Sequence, residues 1–317
     1  MDPRLIPLNG LIALVRGDGL WPRALGDQGL RVHIFEAPVY TEPQNITADA
    51  ILYRLEPPLL VLAECKGGRN IDAQQARGYL TADLAGVFAA GSLPPGLRKR
   101  DDAGVVAMFV GNEVYRGDLE ASMVQHEIQA PLLTVGPDRA RLTQVEVASG
   151  LEAFDVAHQA GLPPARFPID QHSPIEEIHE LTAPILVAAQ ARQEELIDVE
   201  AICRDILPEW PVLGKEAQRG FISLVDDAVR RLASGELGAQ FSYEPGTKAS
   251  QARVRVLESP AASDPRGTPQ SWQAQQRRAA KALGRQRQPP IEGQLELSLE
   301  DLAQEGGVGE DEGVPDE

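Results

Sequence analysis

Apolar and polar positions divide the chain into a strand-rich first half and a helix-rich stretch behind it. Residues 30–39 (LRVHIFEAPV) and 50–55 (AILYRL) are dense in β-branched and aromatic side chains and predict two strands. Residues 59–66 (LLVLAECK) predict a third, set off by Glu56-Pro57-Pro58, and the three form an antiparallel meander. Asp72 is placed to cap a helix that reaches Phe88, with Tyr79, Leu80, Leu84, Val87 and Phe88 as core contacts and the run GSLPPG at 91–96 as its end. Residues 104–110 (GVVAMFV), 131–135 and 142–148 predict further strands of the same sheet. Residues 1–30 are apolar but punctuated by Pro3, Pro7, Gly10, Gly17, Gly19 and Pro22. Only 21–28 reads there as a short helix, with Gly29 as the left-handed residue that follows it.

Beyond Gly150 the texture changes. Pro163, Pro164, Pro168 and Pro174 mark a connection, and helical patterns follow at 183–197, 199–207 and 215–233. Residues 239–244 and 252–258 alternate as two strands around Pro245-Gly246. Helices followed by a hairpin resemble a winged-helix domain, although other small helical domains end the same way. In the winged-helix reading 215–233 is the recognition helix, carrying Lys215, Arg219, Arg230 and Arg231; in the plainer one these charges solvate its outer face. From Ser259 large apolar residues are few and Pro, Gly, Gln and charges many, a composition that predicts disorder. The expected organisation is α/β: a mixed-sheet domain flanked by helices over 1–150, a mainly helical domain over 151–258 and a flexible charged tail over 259–317.

Composition sets bounds. A chain of 317 residues with 43% hydrophobic content can bury a full core. Two cysteines, Cys65 and Cys203, exclude a four-cysteine cluster built from this chain alone and suggest a reducing, cytoplasmic setting. The first residues lack a signal-peptide layout, and no apolar run approaches the ~18 residues of a membrane span. Net charge is −17, but ten of those negative charges fall in 292–317, leaving −7 elsewhere. Just upstream lies a basic run of Arg277, Arg278, Lys281, Arg285 and Arg287.

The candidate chemistry sits at the end of the third strand. A buried strand that closes on Glu64-Cys65-Lys66 needs a reason, because unpaired buried charge is costly. Side chains alternate, so Glu64 and Lys66 share a face and Cys65 points away. A hairpin loop of two or four residues brings Asp49 to that same face, opposite Glu64 or Lys66; an odd loop puts it on the wrong one. Two carboxylates and an ammonium at one hairpin end suit Mg²⁺ or Mn²⁺. On the next helix Gln75 and Tyr79 are four apart and share a face.

Asp49, a hairpin-length spacer and Glu64-Cys65-Lys66 resemble the PD-(D/E)XK nuclease signature, and Gln75-Ala76-Arg77-Gly78-Tyr79 resembles the QxxxY motif of its RecB-like branch. The resemblance covers about 25–110; Ala48 stands where the family often has proline. It implies a restriction-endonuclease-like fold and metal-assisted phosphodiester hydrolysis. Asp49, Glu64 and the backbone carbonyl of Cys65 would hold the metal, Lys66 would orient or help deprotonate the attacking water, and Gln75 would steady a water or phosphate oxygen. Tyr79 would do the same or simply pack the helix onto the sheet. Farther on, Gln294-Leu295-Glu296-Leu297-Ser298-Leu299 resembles the bacterial sliding-clamp-binding peptide QLxLxL, whose contacts would be Gln294, Leu295, Leu297 and Leu299; a chance segment has the same pattern.

The competing account of Glu64 and Lys66 alone is an ion pair at a sheet edge. Glu36 reads as a strand-face residue meeting solvent, with metal ligation the alternative. The five histidines form no ligand spacing and no Walker loop is present. The expected activity is that of a Mg²⁺-dependent DNA nuclease in repair, restriction or defence, with DNA, a sliding clamp and a second copy of the chain as the expected partners. A catalytically inactive DNA-binding adaptor and an RNA-directed nuclease are the alternatives.

Overall fold

The computed structural model describes residues 2–42, 44–145, 149–170, 172–247 and 251–257. Its centre is a seven-stranded sheet in the order β1 (Arg31–Val39), β2 (Ile46–Leu55), β3 (Pro58–Lys66), β4 (Gly104–Asn112), β5 (Leu132–Val135), β6 (Arg139–Thr143), β7 (Phe154–Ala157). The β3–β4 and β4–β5 pairs are parallel and the others antiparallel, so the sheet is mixed. The expected meander is present as β1–β2–β3. One face of the sheet packs on α2 (Ala73–Leu80), α3 (Leu84–Ala89) and α4 (Arg116–Gln125). The other packs on α1 (Ile6–Arg16) and, through a continuous apolar cluster, on the helices after residue 170.

Helix α1 corrects the sequence reading, which found no helix before Trp21. Pro7 sits in its first turn, where a missing N–H costs nothing. Gly10 is there for space: a Cβ would lie 2.2 Å from Val135 Cγ1, so the helix rests directly on the sheet. Gly17 closes it in the left-handed conformation, donating its N–H to Ala13. Residues 21–28 are turns instead of a helix, although Gly29 does take a positive φ.

The single helix expected after Asp72 is two. Asp72 caps α2 as predicted, accepting from Gln75 N at 2.7 Å. Asp83 then caps α3 by accepting from Gly86 N at 2.7 Å, and the chain turns between them. Tyr79 and Val87 are buried, whereas Leu80 and Phe88 are exposed. Strand β6 ends at Thr143, short of the expected 148, because Gln144 has a positive φ; 146–148 lie outside the described residues.

The boundary expected at 150 falls inside the sheet, since β7 lies beyond it and pairs with β6. Residues 1–258 form one compact unit. Its last part is α5 (Ile175–Ala191), β8 (Leu196–Asp198), α6 (Val199–Ile206), α7 (Lys215–Ser234), β9 (Phe241–Glu244) and β10 (Arg253–Val256), with the strands in the order β8-β10-β9. Helix α5 starts eight residues earlier than its pattern suggested, straight after Pro174, and stops before Gln193, which has a positive φ. The tail from 259, with Gln294, Leu295, Leu297 and Leu299, lies outside the described residues.

Candidate active site

The hairpin register decides whether the signature residues meet. Leu55 pairs with Pro58 and Ala50 with Ala63, so the loop is the two residues Glu56-Pro57 and Asp49 falls across from Glu64. This is one of the even-loop registers that the sequence required. β3 lies between β2 and β4, so the Glu64–Lys66 pair is not a feature of a sheet edge.

Asp49 Oδ2 accepts the Cys65 backbone N–H at 2.5 Å, which ties the two strands at the site. Lys66 Nζ donates to Glu64 Oε1 at 2.7 Å and to Gln75 Oε1 at 2.6 Å. The Tyr79 hydroxyl sits between Glu64 Oε2 and the carbonyl of Thr47, 2.9 Å from the latter. Gln75 and Tyr79 therefore both face the hairpin end from one face of α2. Tyr79 takes the packing role, buried against Phe109, while its hydroxyl is engaged by Glu64 and the Thr47 carbonyl. Cys65 points the other way and packs on the α1 side, where burial pushes its thiol well above its ordinary range.

One site residue was misread from sequence. Glu36 is not a solvent-facing strand residue: Phe35 pairs with Ala50 and Ala37 with Ala48, which sets Glu36 across from Asp49. Burial, reinforced by Glu64 and then Asp170, pushes its carboxyl up to about 7. Its φ is +50°, and the strand's alternation breaks there, with Phe35 packing on the α1 side and Ala37 on the α2 side. The only signal in the sequence was the absence of a partner for an acidic residue between two apolar ones.

Burial raises the Asp49 carboxyl well above its usual range, and Glu64 and Glu36 add to the rise; the Cys65 N–H and the Lys66 ammonium oppose it. Three carboxylates thus share a poorly solvated corner with one ammonium. A divalent cation placed at this corner would offset that excess of negative charge. Among the described residues no three His, Cys, Asp or Glu side chains are gathered as a ligand cage. Two carboxylates with a backbone carbonyl suit an ion that keeps several waters.

Segments distant in sequence wall the corner. Arg4 lies 3.8 Å from Asp170, and a Cβ on Gly67, just after Lys66, would come within 2.6 Å of Arg4 Cα. The N–H of Gly214, at the start of α7, donates to Phe35 O at 2.8 Å. Of the α7 cations, Arg230 and Arg231 pair with Asp227, while Lys215 and Arg219 are exposed. In the run Leu97-Arg98-Lys99-Arg100, which precedes β4, Arg100 is taken up by Glu56 and Asp102. Comparison with family models, curated proteins and solved structures finds no match to this chain.

Proposed function

We propose that the protein is a metal-dependent DNA nuclease of the PD-(D/E)XK type. The observation that carries this reading is the convergence of Asp49, Glu64, Lys66, Gln75 and Tyr79 at one hairpin end, through the two-residue loop that sets Asp49 across from Glu64. A structural ion pair needs neither Gln75 on the ammonium nor Asp49 on the neighbouring strand.

Bound at Asp49, Glu64 and the Cys65 carbonyl, Mg²⁺ or Mn²⁺ would polarise the scissile phosphate and acidify a water. The protein's own groups do the rest. Gln75 and Glu64 fix the Lys66 ammonium, which offsets negative charge growing on the phosphate. Tyr79 orients the Glu64 carboxylate, and the Cys65 N–H orients that of Asp49.

The element order α5-β8-α6-α7-β9-β10, with strand order β8-β10-β9, supports a winged-helix reading of the last part of the unit. In that reading α7 approaches DNA. The peptide at 294–299 would tether the chain to a sliding clamp, and a homodimer would cut both strands.

The test is cleavage of supercoiled plasmid and of single-stranded and flapped oligonucleotides with Mg²⁺ or Mn²⁺. Glu64→Ala and Lys66→Ala are each expected to lower cutting by at least about 10²-fold. Metal-independent cutting, or cutting indifferent to both substitutions, defeats the reading. DNA binding without cleavage by any variant favours the adaptor, and preference for RNA in competition favours the RNA-directed enzyme.

A further inference from the structure

The start of α7 is fastened to the strand that borders the corner. Leu213 bridges Phe35 in parallel along the outer edge of β1, and the Gly214 N–H donates to Phe35 O at 2.8 Å. A Cβ on Gly214 would lie 2.3 Å from Glu36 O, so glycine is what lets the two backbones come this close. β1 is the outermost strand, and the pairings Phe35–Ala50, Ala37–Ala48 and Ala50–Ala63 carry that level of the sheet on to Asp49 and Glu64. Gly214 is thus two strand spacings, about 10 Å, from Asp49. Lys215 follows it directly.

Other cations around the corner are already engaged. Arg4 is held by Asp2 and lies near Asp170, Lys66 by Glu64 and Gln75, and Arg69 by Asp118. Lys215 and Arg219 differ. Both are exposed, and among the described residues no hydrogen bond or ion pair takes up either side chain. They are four apart and share a face of α7, away from the stripe of Phe221, Val225, Val229 and Leu232 that packs into the core. Arg230 and Arg231, about 22 Å farther along the helix, are paired with Asp227. The charge that α7 keeps available is at the end pinned beside the corner.

We infer that Lys215 and Arg219 hold the substrate strand by phosphates that flank the scissile one. The inference rests on the nuclease reading and adds to it the path of the strand. With the scissile phosphate in front of Asp49 and Glu64, the backbone continues over the β1 edge, where an ammonium and a guanidinium meet its oxygens. At 3.4 Å of rise per nucleotide, about 10 Å places these contacts within about three phosphates of the cut. The carboxylates of the corner repel a polyanion, and two free cations beside them offset that repulsion where the strand has to pass. Such contacts fix register and orientation and read no base, so Lys215 and Arg219 are positioning residues for any sequence.

The experiment uses the full chain with Mg²⁺ and oligonucleotides that carry one mapped cut, each with a single neutral methylphosphonate linkage placed at successive positions on either side of it. Wild type is compared with Lys215→Ala/Arg219→Ala, with the charge-keeping Lys215→Arg/Arg219→Lys, and with Arg230→Ala/Arg231→Ala. The first pair is expected to raise KM for the unmodified strand about tenfold with kcat within about twofold, and to lower the slope of log KM against log salt by about two. The charge-keeping pair should restore KM, and Arg230→Ala/Arg231→Ala should leave it unchanged. In wild type a neutral linkage within about three phosphates of the cut should raise KM, and the same linkage should cost Lys215→Ala/Arg219→Ala nothing further. An unchanged KM overturns the inference. So does a loss confined to kcat, an equal loss in Arg230→Ala/Arg231→Ala, or a wild type whose sensitive linkages all lie farther from the cut; the last decides the matter even if the alanine pair does not fold. A wild-type chain that cuts no strand removes the nuclease reading and this one with it; a cutting wild type whose KM ignores Lys215 and Arg219 removes this one alone.

Discussion

At the scale of single residues, the corner formed by Glu36, Asp49, Glu64, Lys66, Gln75 and Tyr79 is a place where solvation has been given up for arrangement. Tyr79 shows how the two are linked. Its ring fills the space between α2 and Phe109 while its hydroxyl serves Glu64. Tyr79→Phe keeps the ring and leaves a buried carboxylate oxygen short of a donor. It is expected to cost about 1–3 kcal/mol in urea unfolding, against about 3–5 kcal/mol for Tyr79→Ala, which also opens a cavity. No loss in Tyr79→Phe would mean that the hydroxyl contributes nothing, and equal losses in the two variants that the ring does not. Glu36 makes stability depend on pH. Its folded value of about 7 lies above the ordinary 4.5, so the native state keeps a proton that the unfolded chain releases first. Its contribution is fully present below pH 4.5 and is lost as pH rises through 7. Glu36→Gln should therefore raise the melting temperature relative to wild type more at pH 8 than at pH 5, which thermal scans at the two pH values would read directly.

At the scale of elements, the site depends on how helices meet the sheet. The two-residue hairpin loop sets the β2–β3 register, and the Asp72 cap sets where α2 begins and so where Gln75 and Tyr79 point. Helix α1 is tied to the turn before α7 by a bidentate pair, Arg16 Nη1 and Nη2 to Glu209 at 2.6 and 2.5 Å. Glu209 is almost fully buried, while 35% of the Arg16 side chain is exposed. Arg16→Ala would strand a buried carboxylate; the penalty is expected at the low end of the range for broken buried pairs, about 3 kcal/mol, because Arg16 is partly solvated. Chemical denaturation of Arg16→Ala beside Arg16→Met/Glu209→Leu distinguishes pairing from packing: the double variant should recover most of the loss.

At the scale of the whole molecule, residues 1–258 fold around one sheet, with an apolar cluster running from α1 through α5, α6 and α7. A fragment ending at 150 would lack β7 and strip from α1 the bonds of Asn9 to the Phe167 backbone and of Arg16 to Glu209. It is expected not to unfold cooperatively, whereas a fragment of 1–258 should melt in one transition; calorimetry of the two would reveal an autonomous first domain if one existed.

Local patterns were legible wherever a short-range rule governs. Runs dense in apolar, β-branched and aromatic residues, broken at Glu56-Pro57-Pro58, marked the meander, and the Asp72 cap with the four-residue spacing put Gln75 and Tyr79 together. Those rules act within a few residues, so the sequence named the residues Asp49, Glu64, Lys66, Gln75 and Tyr79, while the even loop that brings Asp49 to their face was fixed only by the observed register. Other features were settled only by packing between distant segments. Gly10 and Pro7 disguised α1, whose helix is stabilised by the sheet beneath it. Strand β7 carried too weak a pattern to announce that the sheet continues past Gly150. Glu36 became a member of the site through its pairing with β2, its left-handed backbone and the contact of Gly214 with its carbonyl. The physical reason is the range of the forces: backbone propensity and capping are written in neighbouring residues, while burial and the field of other charges exist only once remote parts of the chain have closed around a group.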